Sequence, residues 1–433
     1  MMFDAYLTRD LPYLEYVCVF SVVVAAVHAW LDLRQLQALK NTTPPSAVKH
    51  LFKPDECEKK AAYQRDKLKF GLVHSVYDTA MSVAMLVYAY YPWVWRLSGR
   101  TLVMALGWSS EITQSMVWVV LLSVFSNLMN LPWSLYSTFV LEERHGFNKT
   151  TVRTFLGDIV KSMLVTLAIS PPIIAGLVKI LMSTGPIVAL YIWGFLLVVS
   201  LVMLTIYPVM IAPLFNRYEP LQPGKLKDMI EGLASKLQFP LKKLFVIDGS
   251  KRSAHSNAYM YGFFSNKRIV LYDTLLSQCS EEQVTSVLAH ELGHWALSHT
   301  KYLFVASQIV LGAQMGLFAA LRGTPGLLEA FGFVGKGNQP VLAGLVLFQM
   351  LIGPLDEALG LLQNLVSRTF EYQADNFAVR QGYAEDLKSA LCILDKSNKG
   401  PPNTDWLYSI YHHSHPMLSE RIESIDRANR KTL

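Results

Sequence analysis

A chain of 433 residues is long enough for two or three soluble domains, but 52% hydrophobic content, 17% charged residues and a mean hydropathy of +0.28 exclude that reading and point to several membrane spans. The net charge of +6 fits the Lys/Arg bias of cytoplasmic loops better than affinity for nucleic acid, for which no module is present. The 4 cysteines, Cys18, Cys57, Cys279 and Cys392, show no C-x-x-C spacing, so neither a disulfide framework nor a thiolate-bound metal is indicated, and a reducing compartment fits.

In chain order, MMFDAYLTRD carries acid on both sides of Arg9, and the apolar run after it has no small-residue cleavage site, so a retained span is expected. Runs of about 20 apolar residues predict seven spans, at 14–31, 70–91, 116–133, 159–182, 187–211, 303–321 and 341–365. The stretch 101–110 either extends the third span or lies at the interface. Arg34, Lys40, Lys49, Lys53, Lys59, Lys60, Arg65, Lys67 and Lys69 crowd the first loop, which puts that loop in the cytosol and the N-terminus on the other side. Alternation then makes 141–153, 212–301 and everything after 365 cytosolic. His74 with Asp78, and Asp356 with Glu357, lie inside predicted spans and have to face protein or water rather than lipid. For His74 and Asp78, four residues apart, a structural pair and the wall of a wet cavity are both open.

Between the fifth and sixth spans the periodicity changes. Residues 224–237 read as an amphipathic helix, KKLFVIDG and RIVLYD as strands, and AHSNAYMYG as an edge-like extended piece. This α+β insert ends in SEEQVTSVLAHELGHWALSHT, where Ser280 and Gln283 form a capping box and Glu281 and Glu282 suit the helix N-terminus. Four-residue spacing stacks His290 and His294 on one helix face, and H-E-x-x-H reads as a zinc-protease helix. Zinc takes neutral imidazole or carboxylate, keeping one position for water. Glu291 points about 100° round the helix from His290, so it misses the metal yet reaches that water as general base.

After the last span, NLVSRTFEYQADNF places Asn364, Arg368, Glu371 and Asp375 at intervals of four, three and four, a polar stripe continuing an apolar span. Glu371 is the natural third zinc ligand, and Asp375, one turn on, is placed to hold a ligand histidine from behind. Zincins hold substrate along an edge strand, which gives Asn257 a substrate-binding place; a turn asparagine without a role is the other reading.

Together, HELGHW, NLVSRTFEYQAD, EERHGFNKTT, SNAYMYGF and HHSHP, with seven spans, make the sequence one that resembles the type I, zinc-dependent CaaX prenyl proteases over essentially its whole length. That resemblance implies one Zn²⁺ per chain on His290, His294 and Glu371, with Glu291 as catalytic acid/base. It also implies Asn257 and His415 in contact with substrate and the developing oxyanion, and Arg421, near the catalytic centre, as a further substrate-binding residue. The fold it implies is mainly α: seven transmembrane helices enclosing a chamber, with a small α+β zincin-like catalytic domain on the cytosolic side. The expected division is 1–211 for spans one to five, 212–301 for the catalytic insert, 302–366 for spans six and seven, and 367–433 for the part completing the zinc site. The expected activity is removal of the C-terminal aaX tripeptide from prenylated CaaX proteins, in the endoplasmic-reticulum membrane or the inner nuclear membrane continuous with it. A membrane quality-control zinc protease is the alternative enzyme, and a transporter or scaffold with a relict site the alternative outside enzymes.

Overall fold

The computed structural model describes residues 12–107, 110–183, 185, 187–262, 267–324, 326–335 and 339–432; the N-terminal decapeptide discussed above lies outside them. Among the described residues, six helices are long and apolar enough to cross a membrane. Among these are α1 (Tyr13–Ala38), α2 (Pro54–Val87), α4 (Glu111–Tyr136), α5 (Val152–Leu181) and α6 (Val188–Ile206), with α3 (Tyr90–Leu106) between the second and the fourth. The apolar run predicted to reach residue 91 ends sooner, because Ala89 turns left-handed at φ 51° and the chain restarts as α3. That helix packs on α4 through Trp95 and Trp118, whose rings meet at 86°, and Gln114 donates to the Trp95 carbonyl at 2.8 Å. Residues 101–106 therefore close a separate helix and do not extend the third span, while 108 and 109 lie outside the described residues.

The insert follows as β1 (Tyr218–Pro220), α7 (Lys225–Lys236), β2 (Leu241–Ile247), β3 (Ala258–Tyr261), β4 (Lys267–Tyr272), α8 (Asp273–Gln278) and α9 (Glu281–Ala296). The sheet order is β1-β2-β4-β3, with β2 and β4 parallel and both outer strands antiparallel. The expected edge piece is thus an edge strand, whereas β1, three residues long, is too short to show a period of two.

The chain re-enters the membrane as α10 (His299–Leu321), passes the short α11 (Leu327–Ala330), and makes its last crossing as α12 (Val341–Leu351) and α13 (Gly353–Arg380), a pair bent by 58°. The expected seventh span therefore falls on two helices, and the second runs on without interruption past Glu371. After α13 come α14 (Ala384–Ser397), α15 (Trp406–His412) and α16 (Leu418–Thr432).

The described residues bury two main apolar clusters. One lies among the spans around Trp118, Val178, Ile192, Phe318 and Phe348. The other joins Ile230, Ile269, Leu271, Leu288 and Leu292 of the insert to Ala378, Leu387 and Ile425 of the C-terminal part, so two segments distant in sequence share one core. Two of the acidic groups in the spans accept hydrogen bonds: Gln314 donates to Asp356 at 2.7 Å and Tyr411 to Glu357 at 2.8 Å, whereas His74 Nε2 lies 3.3 Å from Asp78 without a hydrogen bond.

Candidate metal centre

The capping box at the start of α9 forms as expected: Gln283 N–H donates to Ser280 Oγ at 3.3 Å and Ser280 N–H to Gln283 Oε1 at 2.8 Å. Val284, Leu288 and Leu292 sink into the core, which turns the opposite helix face toward α13. At Gly293 a Cβ would come within 3.1 Å of Phe377 Cβ and 3.2 Å of the Ala374 backbone, so a glycine is what allows the two helices to approach.

That approach brings His290, His294 and Glu371 together. The Nε2 atoms of the two histidines are 3.2 Å apart, and Glu371 lies 3.5 Å from His290 Nε2 through Oε2 and 3.2 Å from His294 Nε2 through Oε1. Two ligands about 2.0–2.1 Å from a tetrahedral zinc lie about 3.3 Å from each other; the pair of Nε2 atoms meets that separation, and each Glu371 oxygen stands near it from one of the two histidines. Glu371 Oε2 is buried without a hydrogen-bond partner, since His415 Nδ1, at 3.0 Å, lies off the hydrogen-bonding direction. An oxygen of that kind suits a cation. Among the described residues this is the one cluster able to hold a metal ion.

Behind it, Asp375 is fully buried. It accepts from His290 Nδ1 at 2.9 Å and from Arg421 through Nε at 2.9 Å and Nη2 at 2.6 Å. Burial opposes charge on His290, but its hydrogen bond to Asp375 and the neighbouring Glu371 carboxylate outweigh it and push that imidazole up to about 9: the pocket favours positive charge at His290. Burial raises Glu291 above the usual carboxylate range, with His290 and His294 pulling the other way.

Two family models divide the sequence between them: the N-terminal region of CAAX prenyl proteases, described by its five membrane helices, over residues 35–217, and peptidase family M48 over 220–429. The chain belongs to peptidase family M48, in its CAAX prenyl protease branch. The CAAX prenyl protease 1 homolog of Arabidopsis thaliana is 48% identical to it over 98% of this chain and 99% of its own. CAAX prenyl protease 1 of Saccharomyces cerevisiae is 38% identical over 99% of both. The crystal structure of S. mikatae Ste24p superposes with a TM-score of 0.90 at 39% identity, covering 96% of this chain and 99% of that one. The protein is thus a multi-spanning membrane metalloendopeptidase, with its spans arranged around a chamber that the M48 unit adjoins.

In this protease the other expected residues fall at different distances from the cluster. His415 faces Glu371 while 67% of its side chain is exposed, which leaves it free to meet a substrate. Arg421 reaches 3.5 Å from Glu371 as well as bonding Asp375. Asn257 stands at the start of edge strand β3, where its Oδ1 accepts from Ala258 N–H at 2.8 Å and its carbonyl from Tyr272 N–H at 3.1 Å. It makes no hydrogen bond to the cluster among the described residues. Arg368 has a task the polar stripe did not disclose: it donates to the His415 carbonyl and Ser409 Oγ, each at 3.2 Å, and grips both Glu420 oxygens, so it holds the loop carrying His415. His299, which no sequence pattern marks, touches His294 Nδ1 at 2.9 Å.

Proposed function

We propose that this protease removes the C-terminal aaX tripeptide from prenylated CaaX proteins, using one zinc ion held by His290, His294 and Glu371. The observation that carries the reading is that Glu371 lies on the same unbroken helix, α13, that forms the last half of a membrane crossing. Substrate is therefore met beside the bilayer, where a lipidated chain end resides. The relatives whose names print CAAX prenyl protease match over nearly full length.

Zinc supplies Lewis acidity that polarises the scissile carbonyl and makes a neighbouring water acidic enough to lose a proton. Glu291 takes that proton and returns it to the leaving amine, a role its raised carboxyl pKa suits. His415 donates to the oxyanion as it develops. Asp375 keeps the proton of His290 on Nδ1, leaving Nε2 free for the metal, and Arg421 balances the charge of Asp375. Asn257 and β3 receive the peptide in extended form. We place the catalytic segments, 212–301 and 367–433, on the cytosolic face of the endoplasmic-reticulum membrane, and segments 1–211 and 302–366 in the spanning part.

The test is hydrolysis of a farnesylated CaaX peptide by the purified protein, with and without chelator, beside an unlipidated tetrapeptide as competitor. Cleavage of the farnesylated peptide alone, abolished by chelator and restored by zinc, is expected. Equal use of both peptides would replace this reading with that of a quality-control protease.

A further inference from the structure

The mechanism accounts for the proton on His290 but not for the one on His294. We infer that His299 and Gln373 form a relay that fixes the tautomer of His294, making His299 a positioning residue for the metal; this rests on the reading of His294 as a ligand. Ser298 adopts a left-handed conformation, φ 59° and ψ 25°, uncommon for a residue with a side chain. That turn folds the start of α10 back over the last turn of α9. His299 is 2% exposed, its ring lies flat on Phe370 at 4.0 Å and 1°, and its nitrogens contact His294 Nδ1 and Gln373 Oε1, both at 2.9 Å.

The proton order follows from what each atom can do. To offer a lone pair through Nε2, a neutral His294 carries its proton on Nδ1. The neighbour there is His299 Nδ1, which has to accept, so the proton of His299 sits on Nε2 and has to be donated onward. Gln373 meets it with a carbonyl oxygen, an acceptor and nothing else. The amide orientation of Gln373 is therefore the one the metal requires. Turned over, it would donate to His299, push that proton onto Nδ1 and leave His294 protonated on Nε2. His290 gets its tautomer from a buried carboxylate; His294 gets the same tautomer, through one uncharged ring, from an exposed amide on the same helix.

The experiment measures zinc affinity of the purified full-length protein by chelator competition, with zinc alone as probe and thermal unfolding as the check on folding. His299→Phe keeps the flat contact with Phe370 and deletes both nitrogens; zinc affinity should fall about 10- to 100-fold. The Gln373 series varies an exposed position. Gln373→Glu keeps the acceptor and should stay within about twofold, Gln373→Met removes it and should weaken binding, and Gln373→Lys presents a donor and should weaken it most. That order tracks hydrogen-bond sense, whereas a packing role would track side-chain shape. Equal affinities across the series would overturn the inference, while a wild-type protein that binds no zinc would overturn the metal reading itself.

Discussion

Replacing Asp375 by alanine removes the acceptor for His290 Nδ1 and for two nitrogens of Arg421, at 2.9, 2.9 and 2.6 Å. Deleting one partner of a buried ion pair costs about 3–5 kcal/mol, because the other charge stays behind without compensation. Zinc affinity should fall about 10- to 100-fold as His290 loses its orientation. The structure adds a second step. Arg421 Nη1 already lies 3.5 Å from Glu371 Oε2, so a guanidinium freed from Asp375 turns to Glu371 and competes for the oxygen the metal needs. The double variant Asp375→Ala, Arg421→Ala should then bind zinc more tightly than Asp375→Ala alone, although more of the site has been deleted. Chelator competition on the two proteins, with thermal unfolding alongside, decides it. Weaker binding by the double variant would show that Arg421 supports the metal and does not compete for it.

Glu291→Gln preserves shape but cannot accept a proton, so zinc should stay bound while turnover is lost; near wild-type turnover would remove Glu291 as the base. His415→Ala should lower kcat more than it raises KM, since an oxyanion contact strengthens only in the transition state, and a change confined to KM would make it a ground-state contact. In metal-free protein, His290 is raised from its ordinary 6.5 to about 9. Its contribution to stability is therefore fully present below about pH 6.5 and lost as pH rises through about 9, a decline in apparent Tm that zinc should suppress. Neither Asn41 nor Asn148, each in an N-x-Thr sequon, should carry glycan in a glycosylating host if the loops face the cytosol. Asn148 already bonds Glu143 and Thr150. An endoglycosidase-sensitive mobility shift lost on mutating either would invert the bundle.

The histidine pair was legible because helical period and chemistry coincide within five residues, and Glu371 because it falls in a polar stripe of helical spacing that continues an apolar span. His415 and Arg421 lie more than forty residues further on, where no local period links them to the site; only family resemblance singled them out. Arg368 stood in the polar stripe, yet its partner Glu420 is 52 residues away, a distance no spacing rule spans. His299 was missed for a conformational reason: serine gives no sign of the left-handed turn at Ser298 that carries the next residue back over α9. The end of the second span was misplaced on the same ground, since nothing about Ala89 announces a positive φ.

Edge strand β3 is four residues long and, among the described residues, pairs on one side only. Because Tyr272 N–H bonds the Asn257 carbonyl, alternation along the antiparallel ladder turns Ala258 and Met260 outward. The Ala258 N–H is already taken by Asn257 Oδ1, which leaves the Ala258 carbonyl and the Met260 N–H and carbonyl for a guest strand. At about 1 kcal/mol net per hydrogen bond, that grip totals about 3 kcal/mol, a dissociation constant weaker than about 1 mM. If β3 receives the substrate as proposed, a peptide is held here by what it is tied to: an apolar tether contributes about 0.8 kcal/mol for each buried methylene, and a chain of a dozen carbons outweighs the whole ladder. On the proposed function the same imbalance would clear the site after each turnover: once the bond between tether and tail is cut, the severed fragment would keep only the weak ladder.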